Sequence, residues 1–145
     1  MDQIDSQILS LLHRNARMPM SEMSRTIAMS QPAVTERVRK MEDQGIITGY
    51  RVQVSPSKLG KHTTAFVLFK TNRCKDFIAF AEASTETVEL HRISGEYNFL
   101  MKLITESTET LASFLDACNE YGFSSVLVVL STAFEDKSPV PNLDE

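Results

Sequence analysis

The apolar residues of this chain change period once, near Gly45, and that change restricts the folds open to it. Before Gly45 they recur at helical spacing. Ile4, Ile8, Leu11 and Leu12 fall at i, i+4, i+7 and i+8, which is one face of a first helix. Pro19, within "NARMPM", interrupts the pattern because the residue before a proline is pushed out of the α region. Ser21 can cap a second, short helix with Glu22 in its first turn and Met23 and Ile27 facing inward. Ser30 can cap a third, with Pro32 tolerated in the first turn and Gly45 suited to the left-handed stop. Three helices on short turns, the last two only a few residues apart, make a helix-turn-helix.

Beyond Gly45 the pattern turns to strands. "IITGYRVQV" (46–54) reads as a short strand or wing, and "SPSKLGKH" (55–62), with Pro56 and Gly60, as a hinge. "TAFVLFK" (64–70) is strand-like, and "CKDFIAFAEAS" (74–84) is helical with Phe77, Ile78 and Ala81 on one side. "VELHRIS" and "FLMKLIT" are strands on either side of a turn at Gly95-Glu96-Tyr97-Asn98. Ser107 caps a helix carrying Leu111, Phe114, Leu115 and Cys118, Gly122 follows, and "SVLVVLSTAF" is a last strand. The order βαββαβ is the ferredoxin-like motif. The expected fold is therefore α+β. A winged helix-turn-helix domain over 1–54 and a hinge over 55–62 precede a ferredoxin-like domain over 63–135 and a mobile acidic tail over 136–145.

A ferredoxin-like sheet carries helices on one face only, so a lone copy should alternate apolar and polar residues. Here "AFVLF" and "VLVVL" are apolar on both faces. A second copy of the chain is the simplest cover, giving a homodimer. The alternative cover is the chain's own N-terminal domain.

Charge divides along the same boundary. Residues 1–60 hold eight Lys/Arg against six Asp/Glu, a net of +2, and residues 61–145 hold seven against thirteen, a net of −6. Halves of opposite sign point to different partners, although +2 is too small to assign nucleic-acid binding without positional evidence. The acidic start "MDQIDSQILS" lacks the cations of an export signal, and no apolar run approaches membrane-spanning length, so the expected location is cytoplasmic with no membrane partner. Cys74 and Cys118 read as small apolar residues rather than a disulfide.

The third helix, "SQPAVTERVRK", is the candidate for DNA. On a helical wheel Val34, Val38 and Met41 form the core face, and Pro32, Thr35, Glu36, Arg39 and Lys40 project outward. Gln31 sits in the first turn, where a recognition helix meets base edges, and can pair with adenine. Thr35 can touch a thymine methyl or a base edge, and Glu36 can accept from cytosine N4. Arg39 and Lys40 are natural phosphate contacts. Arg37 lies at the margin of the core face, able to reach either a phosphate or a neighbouring helix. Taken alone the segment fits a plain solvated helix; its place as the third helix of the unit favours double-stranded DNA.

The combination resembles the Lrp/AsnC (leucine-responsive, feast/famine) family of transcriptional regulators over nearly the whole chain, to about Glu135. The matching residues are Asp2 and Asp5 with Ile8-Leu9, Arg17, Ser30, Arg37-Val38 with Met41-Glu42, and Gly45-Ile46-Ile47. The resemblance implies dimers, assembling into tetramers or octamers, that read palindromic sites, with Ser30, Gln31, Pro32, Thr35, Glu36, Arg37, Arg39 and Lys40 at the DNA. It also implies an amino-acid effector near "SGEYN", at Gly95, Glu96, Tyr97 and Asn98. Two residues depart from the family. Ala28 stands where a glycine is frequent, at a position not expected to require left-handed backbone. Asn98 replaces the usual aspartate, removing a carboxylate that could meet an ammonium group.

His13, His62 and His91 are scattered without ligand spacing, and no nucleophile triad or glycine-rich phosphate loop is present, so neither a metal, a cofactor nor an enzymatic activity is expected. Two other functions fit less of the pattern: an effector-independent protein that wraps or bends DNA, and a metabolite-binding ferredoxin-like domain with a helical appendage.

Overall fold

The computed structural model describes residues 1–140, which divide into two compact units, Met1–Gln53 with 134–140, and Val54–Ala133. The first unit holds α1 (Gln3–Arg14), α2 (Met20–Thr26) and α3 (Gln31–Asp43). Its core is Ile8, Leu12, Met23, Val34, Val38 and Met41, the inward residues of three amphipathic faces, with Ile4, Leu11 and Ile27 packed against them. Asp2 caps α1 in a reciprocal box, its carboxylate accepting from Asp5 N at 2.9 Å while Asp5 Oδ2 accepts from Asp2 N at 3.0 Å. At the other end of the unit, Gly45 takes φ +68° after α3. Its N–H donates to Glu42 O and that of Ile46 to Met41 O, both at 2.9 Å, satisfying carbonyls that the helix leaves open.

Three expectations for this unit are corrected. The second helix starts at Met20 after Pro19, and Ser21 lies inside it without capping. Residues 46–54 form no strand or wing, since the described residues of the helical unit offer them no strand to pair with and a ladder needs two. Ala28, in the turn between α2 and α3, has φ +54° and is left-handed. A Cβ in that region costs roughly 1–2 kcal/mol, and glycine returns part of any gain through chain entropy. Ala28→Gly is therefore expected to raise the stability of the helical unit by about 0.5–1 kcal/mol, measurable by chemical denaturation monitored at helical ellipticity.

The sequence reads 136–145 as a mobile tail. Residues 134–140 instead belong with the helical unit, and 141–145 lie outside the described residues. Asp136 turns the chain with φ +55°; its carbonyl accepts from His13 Nε2 at 2.9 Å and its carboxylate from Gln53 Nε2 at 3.1 Å.

The second unit opens with a 3-10 turn (Pro56–Leu59) and continues with β1 (Thr63–Lys70), α4 (Cys74–Ala83), β2 (Thr87–Arg92), β3 (Phe99–Thr105), α5 (Thr108–Cys118) and β4 (Phe123–Val128). The strands pair antiparallel in the order β2-β3-β1-β4, as a βαββαβ chain requires, with Val67 opposite both Met101 and Val126. One face, made of Ala65, Val67, Phe69, Phe99, Met101 and Leu103, is buried under Phe77 and Ala81 of α4 and Leu111, Phe114 and Cys118 of α5. Phe69 and Phe77 stack with centroids 4.0 Å apart. Burial pushes the Cys118 thiol up to about 12, so it behaves as an apolar side chain, and both cysteines are free. Ile78, read as inward, is instead 41% exposed. Gly122 is needed where it stands, because a Cβ there would overlap the Lys70 carbonyl.

The opposite face of the sheet carries Phe66, Leu68, Leu100, Ile104 and Leu127, and none of the five is fully buried. Its apolar character, expected from the strands, is thus a property of an uncovered surface within this unit.

Candidate nucleic-acid interface

The third helix is placed by three features of its sequence. Ser30, extended at φ −68° and ψ 147°, accepts Ala33 N–H on its hydroxyl at 3.4 Å, and Pro32 occupies the first turn where no N–H is needed. Val34, Val38 and Met41 are 0%, 3% and 2% exposed and bind the helix to α1 and α2. The short turn through Ala28, with Met29 N donating to Ser24 O at 3.0 Å, fixes the spacing from α2. The remaining surface of α3 is left outward.

Gln31, Pro32, Thr35, Glu36, Arg39 and Lys40 all lie exposed on that surface, together with the capping Ser30. Thr35 Oγ1 donates back to the Gln31 carbonyl at 2.9 Å. Arg39 Nε stands 3.7 Å from Asp43 Oδ2, with both side chains about 70% exposed, a pair too solvated to hold the guanidinium against a phosphate. The face therefore presents an amide, a hydroxyl-bearing side chain and a carboxylate (Gln31, Thr35, Glu36) in its first two turns and cations in its third.

Arg37 is not part of it. Half-buried, its Nη1 donates to Asp2 Oδ2 and to Asp5 Oδ1, each at 2.7 Å, so the guanidinium ties α3 to the capping box of α1. Of the two destinations open to Arg37 in the sequence, the neighbouring helix is the one taken, because both carboxylates of that box point at it. The Asp5 N–H and then the Arg37 guanidinium hold the Asp2 carboxyl below the usual carboxylate range. Its proton therefore binds more tightly in the unfolded chain. The resulting stabilisation is complete above the unfolded value near pH 4 and is lost as pH falls through the depressed folded one. Asp2→Asn is expected to speed hydrogen exchange in α1 at pH 7 and to match wild type at pH 2. A difference that persisted undiminished at pH 2 would show that the charge is not its source.

A second set of residues from the sequence sits at the β2–β3 turn. Gly95 has φ +111°, Tyr97 is half-buried, and Glu96 is exposed with Oε1 3.9 Å from Lys70 Nζ. Asn98 is already occupied. Its Oδ1 accepts from Thr71 N at 3.0 Å and its Nδ2 donates to Thr71 O at 2.8 Å, a two-way pairing of side-chain amide with backbone. Thr71 in turn donates its hydroxyl to Tyr121 O at 2.6 Å. An aspartate could accept from Thr71 N but could not donate to its carbonyl. The asparagine thus joins three loops. Nothing local to Asn98 signals this role, since Thr71 is 27 residues away. Tyr50, also missed, donates its hydroxyl to Glu42 Oε1 at 2.7 Å; burial first and that carboxylate second push its pKa up to about 12. It holds the exit of α3 to the helix.

Comparison with known proteins places both units. An AsnC-type helix-turn-helix domain matches residues 1–42 and an Lrp/AsnC ligand binding domain residues 64–139. An uncharacterised HTH-type transcriptional regulator of Bacillus subtilis, YezC, is 45% identical over 92% of this chain and 96% of its own length. The regulator LrpB of the same organism is 41% identical over 83% of each chain. Among solved structures, that of B. subtilis LrpC superposes with a TM-score of 0.89 at 30% identity, covering 92% of this chain and 97% of its own.

Proposed function

The chain belongs to the Lrp/AsnC family of helix-turn-helix transcriptional regulators, and from that membership we propose that it binds palindromic DNA as a dimer within a larger homo-oligomer. The observation that carries this reading is the outer face of α3, where Gln31, Thr35 and Glu36 stand ahead of Arg39 and Lys40 while Arg37 is turned to Asp2 and Asp5. Uncharged and acidic polar groups ahead and cations behind suit a helix whose N-terminal turns meet base edges and whose third turn meets phosphates. No helix among the described residues is long and apolar enough to cross a membrane. A DNA partner supports a cytoplasmic location. We read it as a regulator and not as an enzyme.

The uncovered sheet face supports dimerisation through the second unit, and the match to a ligand binding domain supports a small effector, for which an amino acid is the proposed class. The effector would approach the turn at Gly95, Glu96 and Tyr97. Asn98, spent on Thr71, shapes that turn. To move the assembly the effector must bind two states differently, on the order of 1–3 kcal/mol.

Enrichment of duplexes from a random-sequence pool, followed by thermal shift with each of the twenty amino acids, tests both parts. A ligand at 100 times its Kd adds about 2.7 kcal/mol of stability. DNA enrichment without a shift for any amino acid favours the effector-independent architectural reading. A shift without DNA enrichment favours the metabolite-binding one.

A further inference from the structure

The N-cap and first two turns of α3 carry two hydroxyls, and each makes a hydrogen bond within the helix, Ser30 as acceptor and Thr35 as donor. Ser30 Oγ receives the Ala33 N–H at 3.4 Å, and Thr35 Oγ1 donates to the Gln31 carbonyl at 2.9 Å. Thr35 is nonetheless fully on the exposed side. With its oxygen turned back along the helix, the group it offers outward is its methyl. The same two turns contain one cation, Arg37, and it is held by Asp2 and Asp5. No guanidinium or ammonium is left there for the O6 and N7 of guanine, the commonest specific contact in a major groove. The one apolar landmark that the groove offers to a methyl is the C5-methyl of thymine.

We propose that Thr35 is a specificity residue that recognises thymine through methyl–methyl contact, its hydroxyl remaining on Gln31. This rests on the reading of α3 as the DNA-contacting helix. It differs from hydrogen-bonded readout, in which the hydroxyl would leave Gln31 to bond a base edge. Keeping the hydroxyl in place also leaves the side chain in one rotamer before and after binding, so the contact orders nothing new.

The test uses the full chain and a duplex enriched by the wild-type protein from a random-sequence pool. Each thymine is replaced in turn by deoxyuridine, which removes only the C5-methyl. One methyl transferred out of water corresponds to about a fourfold change in affinity, or about fifteenfold when both half-sites are altered. The expected result is one thymine per half-site at which deoxyuridine weakens wild-type binding by that amount. Thr35→Val, which retains the methyl and lacks the hydroxyl, keeps both the affinity and the sensitivity to deoxyuridine. Thr35→Ser, which retains the hydroxyl, binds about as weakly as wild type binds the deoxyuridine duplex and no longer distinguishes the two.

The opposite pattern, with Ser binding like wild type and Val losing affinity, would overturn the proposal in favour of hydroxyl readout while leaving DNA binding intact. So would a set of variants that all bind alike to duplexes in which no thymine is sensitive. If the wild-type protein enriches no duplex at all, the DNA-binding reading itself fails and this one falls with it. Helical ellipticity of both variants checks that α3 is retained.

Discussion

Phe66→Asp combined with Leu127→Asp gives a folded chain that sediments as a monomer. The two residues are cross-strand partners on β1 and β4, half-buried and 55% exposed respectively, on the face that α4 and α5 do not cover. Their strand neighbours Ala65, Val67 and Val126 point to the opposite side, so the helix-covered core is left unchanged. Lys102 Nζ lies 5.9 Å from the Phe66 ring, which gives a carboxylate introduced at 66 a cation beside it in the separated chain. In a dimer packed through this face the same carboxylates would be stripped of water near their symmetry mates, at a cost of several kcal/mol per buried charge. Three kcal/mol would already weaken association more than a hundredfold. Sedimentation velocity at micromolar concentration reads the outcome directly. An assembly of unchanged size would place the interface elsewhere, on the edge strand β2 or on the helical unit. DNA binding is expected to fall to that of a single half-site, since one helix-turn-helix unit can then occupy only one major groove.

What could be read from the sequence was whatever depends on neighbours within a few turns. The spacing of Val34, Val38 and Met41 identified the buried face of α3, and Ser30 and Gly45 marked its ends, because caps and stops are chemistry between residues three to five apart. The βαββαβ order followed from where periodicity changed and where turn residues fell. Most of what the sequence left open or misread concerns residues whose partners are distant, the Ser21 cap being a local case. Arg37 stood at the margin of a helical face, and Asp2, 35 residues earlier, decided its direction. The wing over 46–54 had strand-forming residues, but a strand exists only with a partner, which the described residues of the helical unit lack. Asn98 looked like a lost carboxylate until its two-way bond with Thr71 showed what an amide supplies there. Ala28 is local too, yet an alanine carries no signal that its backbone will be held at φ +54°.

The same separation of Arg37 from its neighbours leads to the largest effect expected on DNA. Arg39→Ala with Lys40→Ala should weaken binding strongly at physiological salt while leaving the fold intact. Both side chains are exposed, and Arg39 is only loosely matched by Asp43 at 3.7 Å, so neither is needed for the packing of α3. If each contacts one phosphate, a dimer loses four contacts. The slope of log K against log salt is then shallower by about 0.9 per contact, or about 3.6 in all. Between 50 and 200 mM salt the wild-type protein should consequently lose about 150-fold more affinity than the variant. Arg37→Ala provides the contrast. It removes a cation from the same helix, but one bound to Asp2 and Asp5, so it should destabilise the helical unit and shift its acid unfolding without changing the salt slope of the molecules that remain folded. Equal slopes for wild type and the Arg39/Lys40 variant would remove the third turn of α3 from the interface. A shallower slope for Arg37→Ala would mean that its guanidinium leaves the two carboxylates when DNA arrives. Both slopes come from the same fluorescence-anisotropy titrations at four salt concentrations, with circular dichroism reporting the folded fraction in each.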